Sequence, residues 1–358
     1  MILKQLELAN FRNYAKASFC PNPAGNLVIA PNGFGKTNLL ESIAYCGLGK
    51  SVRFHRDDEV LKKDSDSFSV SADFLNDTGL DLKIQIAWQE RRKYLKIDGD
   101  PIRQLSKLYE RVKVVYAAPD DTMLVDGSPS ARRKYFDLCV SQIYPAYVGL
   151  LRDYLQVVQQ RNSLLKNSFS PLVKKSWDRR FCELLLEILD YRNRYLTEVN
   201  RALEQNYPAV LNQVKSLRLL YRSQAQQGYP GTLEKLEELV ASLEPMEKNA
   251  QRGLCGAHLD DYEFCLNGHN LKTYGSQGQK RITVIVLRLI QASLIENLTG
   301  IRPILLFDDV LAELDADNAR RIAEFVDQRY QIFIASPREE LSAQWPGLEP
   351  LNFEETAS

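Results

Sequence analysis

The spacing of hydrophobic and polar residues changes twice along the chain. In the first third, Phe68, Val70, Ala72 and Phe74 alternate with polar residues, which is the two-residue period of a half-buried strand. From about residue 130 the apolar positions follow a helical period, and after about residue 256 short apolar runs alternate with helical segments. The pattern predicts an α/β protein whose sheet-forming parts are separated by a mostly helical segment.

Turn-forming residues divide the first third into strands that predict an antiparallel meander, with turns at 76–79 and at Asp98-Gly99. No heptad series spans the helices, so we expect no long coiled coil. The predicted helices are Ala131–Ile143, Tyr147–Lys166, Trp177–Asn206, Thr232–Gln251, Gln279–Asn297 and Glu313–Arg329. Strands outside the meander are predicted at Val112–Ala117, Leu259–Leu266, Ile304–Phe307 and Gln331–Ala335.

A glycine-rich segment lies between the apolar strand Asn26–Ile29 and a helix-forming run, as a phosphate-binding P-loop does. Its residues are Ala30, Pro31, Asn32, Gly33, Phe34, Gly35, Lys36, Thr37 and Asn38. The two glycines let backbone N–H groups curl around phosphate oxygens. Lys36 is expected to reach the β- and γ-phosphates and Thr37 to hold Mg²⁺. Ala30 replaces the first glycine of the full pattern, but its methyl group is small enough for the loop to form. The predicted ligands are ATP and Mg²⁺.

A second motif stands far from the P-loop in the sequence. Ile304–Phe307 is a continuous apolar run, typical of a central parallel strand, and Asp308 and Asp309 follow it. The first carboxylate is placed to hold Mg²⁺ and the second to orient or deprotonate a water, so we predict Lys36, Asp308 and Asp309 as catalytic residues. Because the two motifs flank the helical segment, we predict an ATP-binding lobe of residues 1–125 and 255–358 and a helical lobe of residues 126–254.

The segment Ser276-Gln277-Gly278-Gln279-Lys280-Arg281 opens a helix before the second motif. It resembles the signature motif of ABC-type ATPases, whose serine and glycine contact the γ-phosphate bound to the opposite subunit. The resemblance implies an ABC-type P-loop ATPase head. It also implies that Ser276, Gly278 and Gln279 contribute to the nucleotide site of a second chain.

A longer set of motifs is similar to the RecF family of recombination mediators, which is related to the heads of Rad50 and SMC proteins. The similarity covers essentially the whole chain. It is carried by Asn10–Tyr14, Asn32–Glu41, Pro119-Asp120, Gly127–Asp137, Gly256–Asp261 and Ser276–Arg281.

The RecF resemblance implies a cytoplasmic, nucleoid-associated protein with weak DNA-stimulated ATPase activity that forms a head-to-tail homodimer on ATP. It implies binding to single-stranded, gapped and duplex DNA, cooperation with RecR and RecO, and support of RecA loading in repair, replication and the SOS response. By the same resemblance, Arg12 would face the bound nucleotide.

Composition limits where DNA could bind. Lys+Arg and Asp+Glu number 46 each, so only local patches could attract phosphates, and Arg132, Arg133, Lys174 and Lys175 are the predicted contacts. Six scattered cysteines without a CxxC pair predict reduced thiols and no zinc site. Without an uninterrupted apolar run of about 18 residues, no membrane partner is expected.

Three alternatives remain open. One is the nucleotide-binding subunit of an ABC transporter, but such subunits carry a switch histidine where this chain has Ser336. A second is an OLD-type nuclease, although we expect the segment after Asp309 to be too short for the nuclease domain of that class. The third is an ATP-binding scaffold that does not hydrolyse ATP, because Asp309 stands where transporter-type ATPases have glutamate.

Overall fold

The computed structural model describes residues 1–31, 33–53, 56–167, 170–210, 216–223, 231–326 and 328–351. The strands are β1 (Ile2–Phe11), β2 (Tyr14–Phe19), β3 (Gly25–Ile29), β4 (Phe68–Leu75), β5 (Asp81–Gln89), β6 (Arg92–Ile97), β7 (Asp100–Pro101), β8 (Val114–Ala117), β9 (Leu217–Arg222), β10 (Asp261–Leu266), β11 (His269–Asn270), β12 (Ile304–Asp308), β13 (Ile332–Ser336) and β14 (Glu349–Pro350). The helices are α1 (Lys36–Leu48), α2 (Leu105–Arg111), α3 (Met123–Asp126), α4 (Pro129–Ile143), α5 (Ala146–Lys166), α6 (Pro171–Val210), α7 (Leu233–Ala250), α8 (Leu271–Tyr274), α9 (Gln277–Thr299), α10 (Ala316–Phe325) and α11 (Leu341–Gln344).

The chain divides into two compact units. The first contains Met1–Thr122 and the chain from Ser276 onward, and the second contains most of the chain from Met123 to Gly275. The predicted lobes have the same order along the chain. The predicted boundary at 254/255, however, lies well before the observed one at Gly275.

The first unit contains an antiparallel sheet in the order β2-β1-β4-β5-β6-β7, which includes the predicted meander. The alternation along β4 places its apolar residues on one buried face of the sheet. Phe68, Val70 and Phe74 are buried, whereas Ser69 is exposed. Phe68 and Phe11 pack edge to face, with ring centroids 5.8 Å apart.

The same unit contains a five-stranded parallel sheet in the order β14-β3-β13-β12-β8. Every residue of β8, β12 and β13 is buried, which explains why these strands are continuous apolar runs in the sequence. Because the strands are parallel, their carboxyl ends meet at one edge of the sheet. This edge is where ligands bind in open α/β folds.

Helix α9 packs against β8 and belongs to the core of the first unit. By length and composition it could cross a membrane, and within the described ranges it alone passes that test. Most of the helix is nevertheless buried, and Arg288 within it binds Asp121 through two hydrogen bonds of 2.7 and 2.9 Å. These contacts identify a core helix.

The second unit combines helices with a small antiparallel sheet in the order β11-β10-β9. Strand β9 was not predicted, although Leu217 and Leu219 are buried on one of its faces. It pairs with β10 along its whole length. This pairing accounts for the difference from the predicted boundary, because it holds β10 within the helical unit.

Candidate nucleotide-binding site

The P-loop leaves the carboxyl end of β3 and leads into α1. Gly33 and Gly35 have φ angles of 90° and 96°, a left-handed conformation that glycine adopts without strain. Ala30 is not among the described residues with positive φ, so alanine is compatible with the backbone there. Asn32 lies outside the described residues. The conformation explains why the loop keeps two glycines but tolerates the loss of the first.

Space for a ligand is present on one side of the loop. A Cβ atom at Gly33 would meet nothing within 4 Å, whereas one at Gly35 would lie 2.5 Å from Nδ2 of Asn13. Gly35 is also the N-cap of α1, and it has no side chain to occupy the first N–H groups of the helix. These groups suit an anion such as a phosphate.

Lys36 is buried, with 4% of its surface exposed. Its Nζ atom donates hydrogen bonds to the carbonyl oxygens of Ala30 at 2.8 Å and Pro31 at 3.2 Å. The Lys36 side chain therefore folds back over the P-loop. This arrangement places a cation within the cradle formed by the backbone.

Thr37 and Asp308 meet although they come from distant parts of the chain. Thr37 Oγ1 donates to Asp308 Oδ1 at 2.9 Å, and Tyr116 Oη donates to Asp308 Oδ2 at 2.7 Å. The strands explain the geometry, since β8 lies beside β12 and pairs Tyr116 with Leu306. The structure thus brings together the two predicted Mg²⁺ ligands and adds Tyr116, which the sequence analysis missed.

Burial raises the pKa of Asp308 above its ordinary value, and the charge of Asp309 raises it further. Hydrogen bonds from Tyr116 and Thr37 act in the opposite direction. A hydroxyl and a carboxylate are hard oxygen ligands, so the pair fits Mg²⁺. Among the described residues, no group of three or more His, Cys, Asp or Glu side chains is arranged so that it could hold a metal ion. This is consistent with a Mg²⁺ site that relies on one or two protein ligands and on substrate phosphates.

Asp309 follows β12 in a left-handed conformation, with φ at 54°. This conformation is unusual for a residue other than glycine, and such strain tends to occur at functional sites. Its backbone N–H donates to the carbonyl oxygen of Ala335 at 3.0 Å. The next residue of that strand, Ser336, is buried and accepts a hydrogen bond from the backbone of Arg338 at 2.9 Å.

The turn between β1 and β2 contacts the P-loop through residues that were not singled out. Tyr14 Oη donates to the carbonyl oxygen of Gly35 at 3.2 Å, and Asn38 Nδ2 donates to Asn13 Oδ1 at 2.8 Å. Asn13 and Tyr14 belong to the Asn10–Tyr14 motif, but a role in nucleotide binding was predicted only for Arg12 of that motif.

The structure places Arg12 differently from the expectation that it faces the nucleotide. Its Nε and Nη2 atoms donate to the carboxylate of Glu41 at 2.9 and 3.0 Å, and Nη1 donates to the carbonyl oxygen of Glu59. Glu41 lies on α1 and is fully buried. A buried carboxylate needs a partner, so Arg12 here supports the helix that follows the P-loop.

Ser276 is the N-cap of α9. Its Oγ accepts from the backbone N–H of Gln279 at 3.2 Å, and its own N–H donates to Gln279 Oε1 at 2.9 Å, which forms a capping box. Ser276 and Gly278 are exposed. A Cβ atom on Gly278 would approach only Ser276 Oγ, at 4.0 Å. The motif therefore presents an accessible helix N-terminus.

Two of the four predicted DNA contacts are buried and paired with carboxylates. Arg132 is buried and binds the carboxylate of Asp261 through two hydrogen bonds of 2.7 and 2.9 Å. Lys174 is also buried, with its Nζ 2.5 Å from Asp178 and 3.2 Å from Glu244. Both cations are neutralised inside the second unit, so a contact with DNA phosphates would require these ion pairs to break.

The other two predicted contacts are more accessible. Arg133 is half-buried and donates to the carbonyl oxygen of Asp260 at 2.7 Å, and Lys175 is exposed.

The parallel sheet, the meander, the P-loop facing Asp308 and the serine-capped helix α9 together define an ABC-type ATPase head. A family model described as the RecF/RecN/SMC N-terminal domain matches residues 2–349. The DNA replication and repair protein RecF of Ruminiclostridium cellulolyticum is 32% identical over 351 residues, covering 95% of this chain and 94% of the relative. RecF of Heliobacterium modesticaldum is 34% identical over 348 residues, covering 94% and 92%. The chain belongs to the RecF family.

Solved structures agree with this assignment. The recombination mediator protein RecF of the RecFOR pathway, as RecF-ATP, superposes with a TM-score of 0.87 at 27% identity, covering 94% of this chain and 92% of that one. The RecF-ATPrS structure gives 0.86 at 28% identity, with the same coverage. An Smc head bound to a domain of ScpA gives 0.54 at 15% identity, covers 96% and 92%, and shares the fold alone.

Proposed function

We propose that this chain is an ATP-binding DNA repair protein in which ATP-dependent dimerisation controls binding to DNA. The observation that carries the proposal is the convergence of Lys36, Thr37 and Asp308 at the carboxyl edge of the parallel sheet, with Thr37 Oγ1 2.9 Å from Asp308. Further support comes from relatives named DNA replication and repair protein RecF and from the solved RecF-ATP structure.

Each residue of this site has a role that follows from its chemistry. The backbone N–H groups around Gly33 and Gly35 and the amino group of Lys36 would bind the phosphates of ATP. Thr37 and Asp308 would hold Mg²⁺, which when bound neutralises charge that develops on phosphate oxygens.

Asp309 would orient the attacking water and accept its proton. The hydrogen bond from the backbone N–H of Asp309 to the carbonyl oxygen of Ala335 holds the backbone from which this side chain extends.

The exposed N-terminus of α9 supports a site shared between two chains. Ser276 and Gly278 would contact the γ-phosphate of ATP bound to the other chain, and Gln279 would maintain the turn through the capping box. In a head-to-tail homodimer each chain contributes one P-loop and one α9 terminus, so ATP would join the chains and hydrolysis would release them.

We further propose slow, DNA-stimulated hydrolysis. Aspartate is shorter than the glutamate of transporter-type ATPases. In addition, Ser336 offers a neutral hydroxyl that cannot act as a cation. Slow turnover suits a switch that remains closed on DNA.

The proposed DNA targets are gapped molecules and junctions between single and double strands. Cooperation with RecR and RecO and support of RecA loading are part of the same proposal, and the RecFOR pathway named for the solved relatives supports it.

Sedimentation velocity with and without ATP and Mg²⁺ tests the proposal. Asp309→Asn, which removes the proton acceptor, should accumulate as a dimer in ATP. Ser276→Arg should bind ATP but remain a monomer, since it blocks only the site contributed to the other chain. Adding gapped DNA across a salt series should show binding that requires ATP and weakens steeply with salt. If wild type and Asp309→Asn both remain monomeric in saturating ATP, the dimer mechanism fails.

A further inference from the structure

A pocket of about 210 Å³ lies within the second unit, and none of its lining residues belongs to the nucleotide site. One face of α4 forms its first wall, α5 forms the second, and α6 and the segment before β10 complete it. The lining residues are Ser130, Arg133, Lys134, Asp137, Leu151, Tyr154, Leu155, Arg192, Ala257 and His258.

The carboxylates near this pocket are already neutralised. Asp137 Oδ1 accepts from Arg192 Nη2 at 2.8 Å and from Tyr147 Oη at 2.6 Å. Asp260 Oδ2 lies 3.4 Å from Arg192 Nη1 and also accepts from Tyr221. Arg192 is almost completely buried, with 1% of its side chain exposed, and it is held between these two acids.

Two further cations at the pocket lack such a partner. Within the described ranges neither Arg133 nor Lys134 has a carboxylate within 4.0 Å, and the one hydrogen bond of the Arg133 side chain goes to the carbonyl oxygen of Asp260. Lys134 is exposed. Among the described residues of this unit, no carboxylate pairs with these two cations, so the pocket has an excess of positive charge.

His258 adds a neutral donor to these cations. Its Nδ1 lies 2.8 Å from Tyr154 Oη, and when that hydroxyl donates, Nε2 carries the ring hydrogen. Burial, together with the charges of Arg133, Arg161 and Arg192, lowers the pKa of His258 to about 4. The ring is therefore neutral at pH 7 and can donate from Nε2 to an oxygen.

We propose that this pocket binds a phosphate group through Arg133, Lys134 and His258. The hydroxyl of Ser130, in the first turn of α4, is a fourth donor. The volume is that of about seven water molecules and lies below the roughly 300 Å³ at which pockets for drug-sized ligands begin. A phosphate is small enough, carries between one and two negative charges near neutral pH, and can accept hydrogen bonds on its oxygens. It could be free phosphate or the terminal phosphate of a nucleic-acid strand.

Histidine NMR can observe this pocket directly in the full chain. The chain has three histidines, His55, His258 and His269, so the ring resonance of His258 can be assigned with His258→Gln. Inorganic phosphate, added at constant ionic strength and pH 7 without ATP or Mg²⁺, should shift this resonance saturably and leave that of the exposed His269 unchanged. An oligonucleotide with a 5′-phosphate and the same strand with a 5′-hydroxyl then distinguish a terminal phosphate from a free one.

Charge reversal provides the matched variants. Lys134→Glu should raise the phosphate concentration that gives half of the maximal His258 shift at least about tenfold, because it replaces an attractive contact with a repulsive one. The control is Lys235→Glu, at an exposed lysine on α7 that does not line the pocket, and it should leave the phosphate-induced shift unchanged. Because Lys134 is exposed and has no ion-pair partner among the described residues, its replacement should preserve the fold, as an unchanged melting temperature would verify. An unshifted His258 resonance, or an equal shift in Lys134→Glu, would overturn the proposal.

Discussion

The nucleotide site of the first unit and the Arg192 cluster of the second contain buried charges in different settings. In the first unit Asp308 accepts hydrogen bonds from two neutral hydroxyls, those of Thr37 and Tyr116. In the second unit Arg192 is held between the carboxylates of Asp137 and Asp260. A carboxylate held by neutral hydroxyls can still bind an incoming cation, whereas a charge already held by opposite charges is not available to a ligand and costs stability when its partner is removed.

A second cluster shows that the pairing around Arg192 is general in the helical unit. Arg161 binds Asp178 at 2.7 Å and the fully buried Glu247 at 3.1 Å, and its guanidinium lies over the ring of Phe181. Lys174 binds the same Asp178. The basic residues of this unit therefore have to be judged by their partners before they are assigned to a ligand.

The largest effect should come from breaking the Arg192 cluster. Arg192→Met keeps most of the side-chain volume but leaves Asp137 and Asp260 without their shared cation. Uncompensated buried charge typically costs about 3–5 kcal/mol, so we expect a loss of that size in the free energy of unfolding. Denaturant unfolding monitored by circular dichroism measures it.

Arg194→Met is the control for this experiment. Arg194 lies one turn away from Asp190 on the same helix, and both side chains are more than half exposed. Exposed pairs contribute about 0.3–0.5 kcal/mol, so this variant should unfold almost like wild type. Equal losses in the two variants would show that the cluster around Arg192 has no special structural role.

The difference between the two units also explains what could be predicted from the sequence. The P-loop was predictable because its function depends on residues that are neighbours in the chain, with Gly33, Gly35 and Lys36 in a fixed spacing. Asp308 was predictable because a buried parallel strand must end at the edge where the P-loop also lies. Both inferences rest on local patterns or on a general rule of α/β sheets.

The ion pairs could not be predicted in this way. Arg132 and Asp261 are separated by 129 positions, and nothing in the run Arg132-Arg133-Lys134 shows that the first is buried, the second half-buried and the third exposed. The same limit explains why Tyr116 was missed. Its role depends on the pairing of β8 with β12, which only the folded sheet defines.

A smaller effect should appear when pH is lowered, because His258 resists protonation in the folded state. Its pKa is lowered to about 4 from an ordinary value of 6.5. As pH falls from 6.5 towards 4, the unfolded chain binds a proton that the folded ring does not, so stability is lost. The loss approaches about 3 kcal/mol at the low end of this range.

His258→Gln isolates this contribution, since the other titrating groups are common to both proteins. The free energy of unfolding, measured in phosphate-free buffer at several pH values, should fall less steeply for the variant between pH 6.5 and 4. Parallel curves for the two proteins would mean that the ring is protonated as easily in the folded state as in the unfolded chain.

The smallest of these effects concerns the nucleotide site, where we expect a substitution to change ligand binding more than folding. Lys36→Met removes the amino group and its bonds to the carbonyl oxygens of Ala30 and Pro31, which should cost about 1 kcal/mol without ATP. In wild type, ATP with Mg²⁺ at 100 times its Kd should add about 2.7 kcal/mol to stability, and Lys36→Met should lose this gain.

Thermal unfolding with and without ATP measures both quantities in one experiment, with Lys175→Met as a control in the other unit. That control should keep the stabilisation by ATP, because Lys175 is an exposed residue outside the site. A Lys36→Met protein that is stabilised by ATP as strongly as wild type would contradict the assignment of the P-loop. A large loss of stability without ATP would instead show that Lys36 is structural, as Arg192 is in the second unit, and the contrast between the units would not hold.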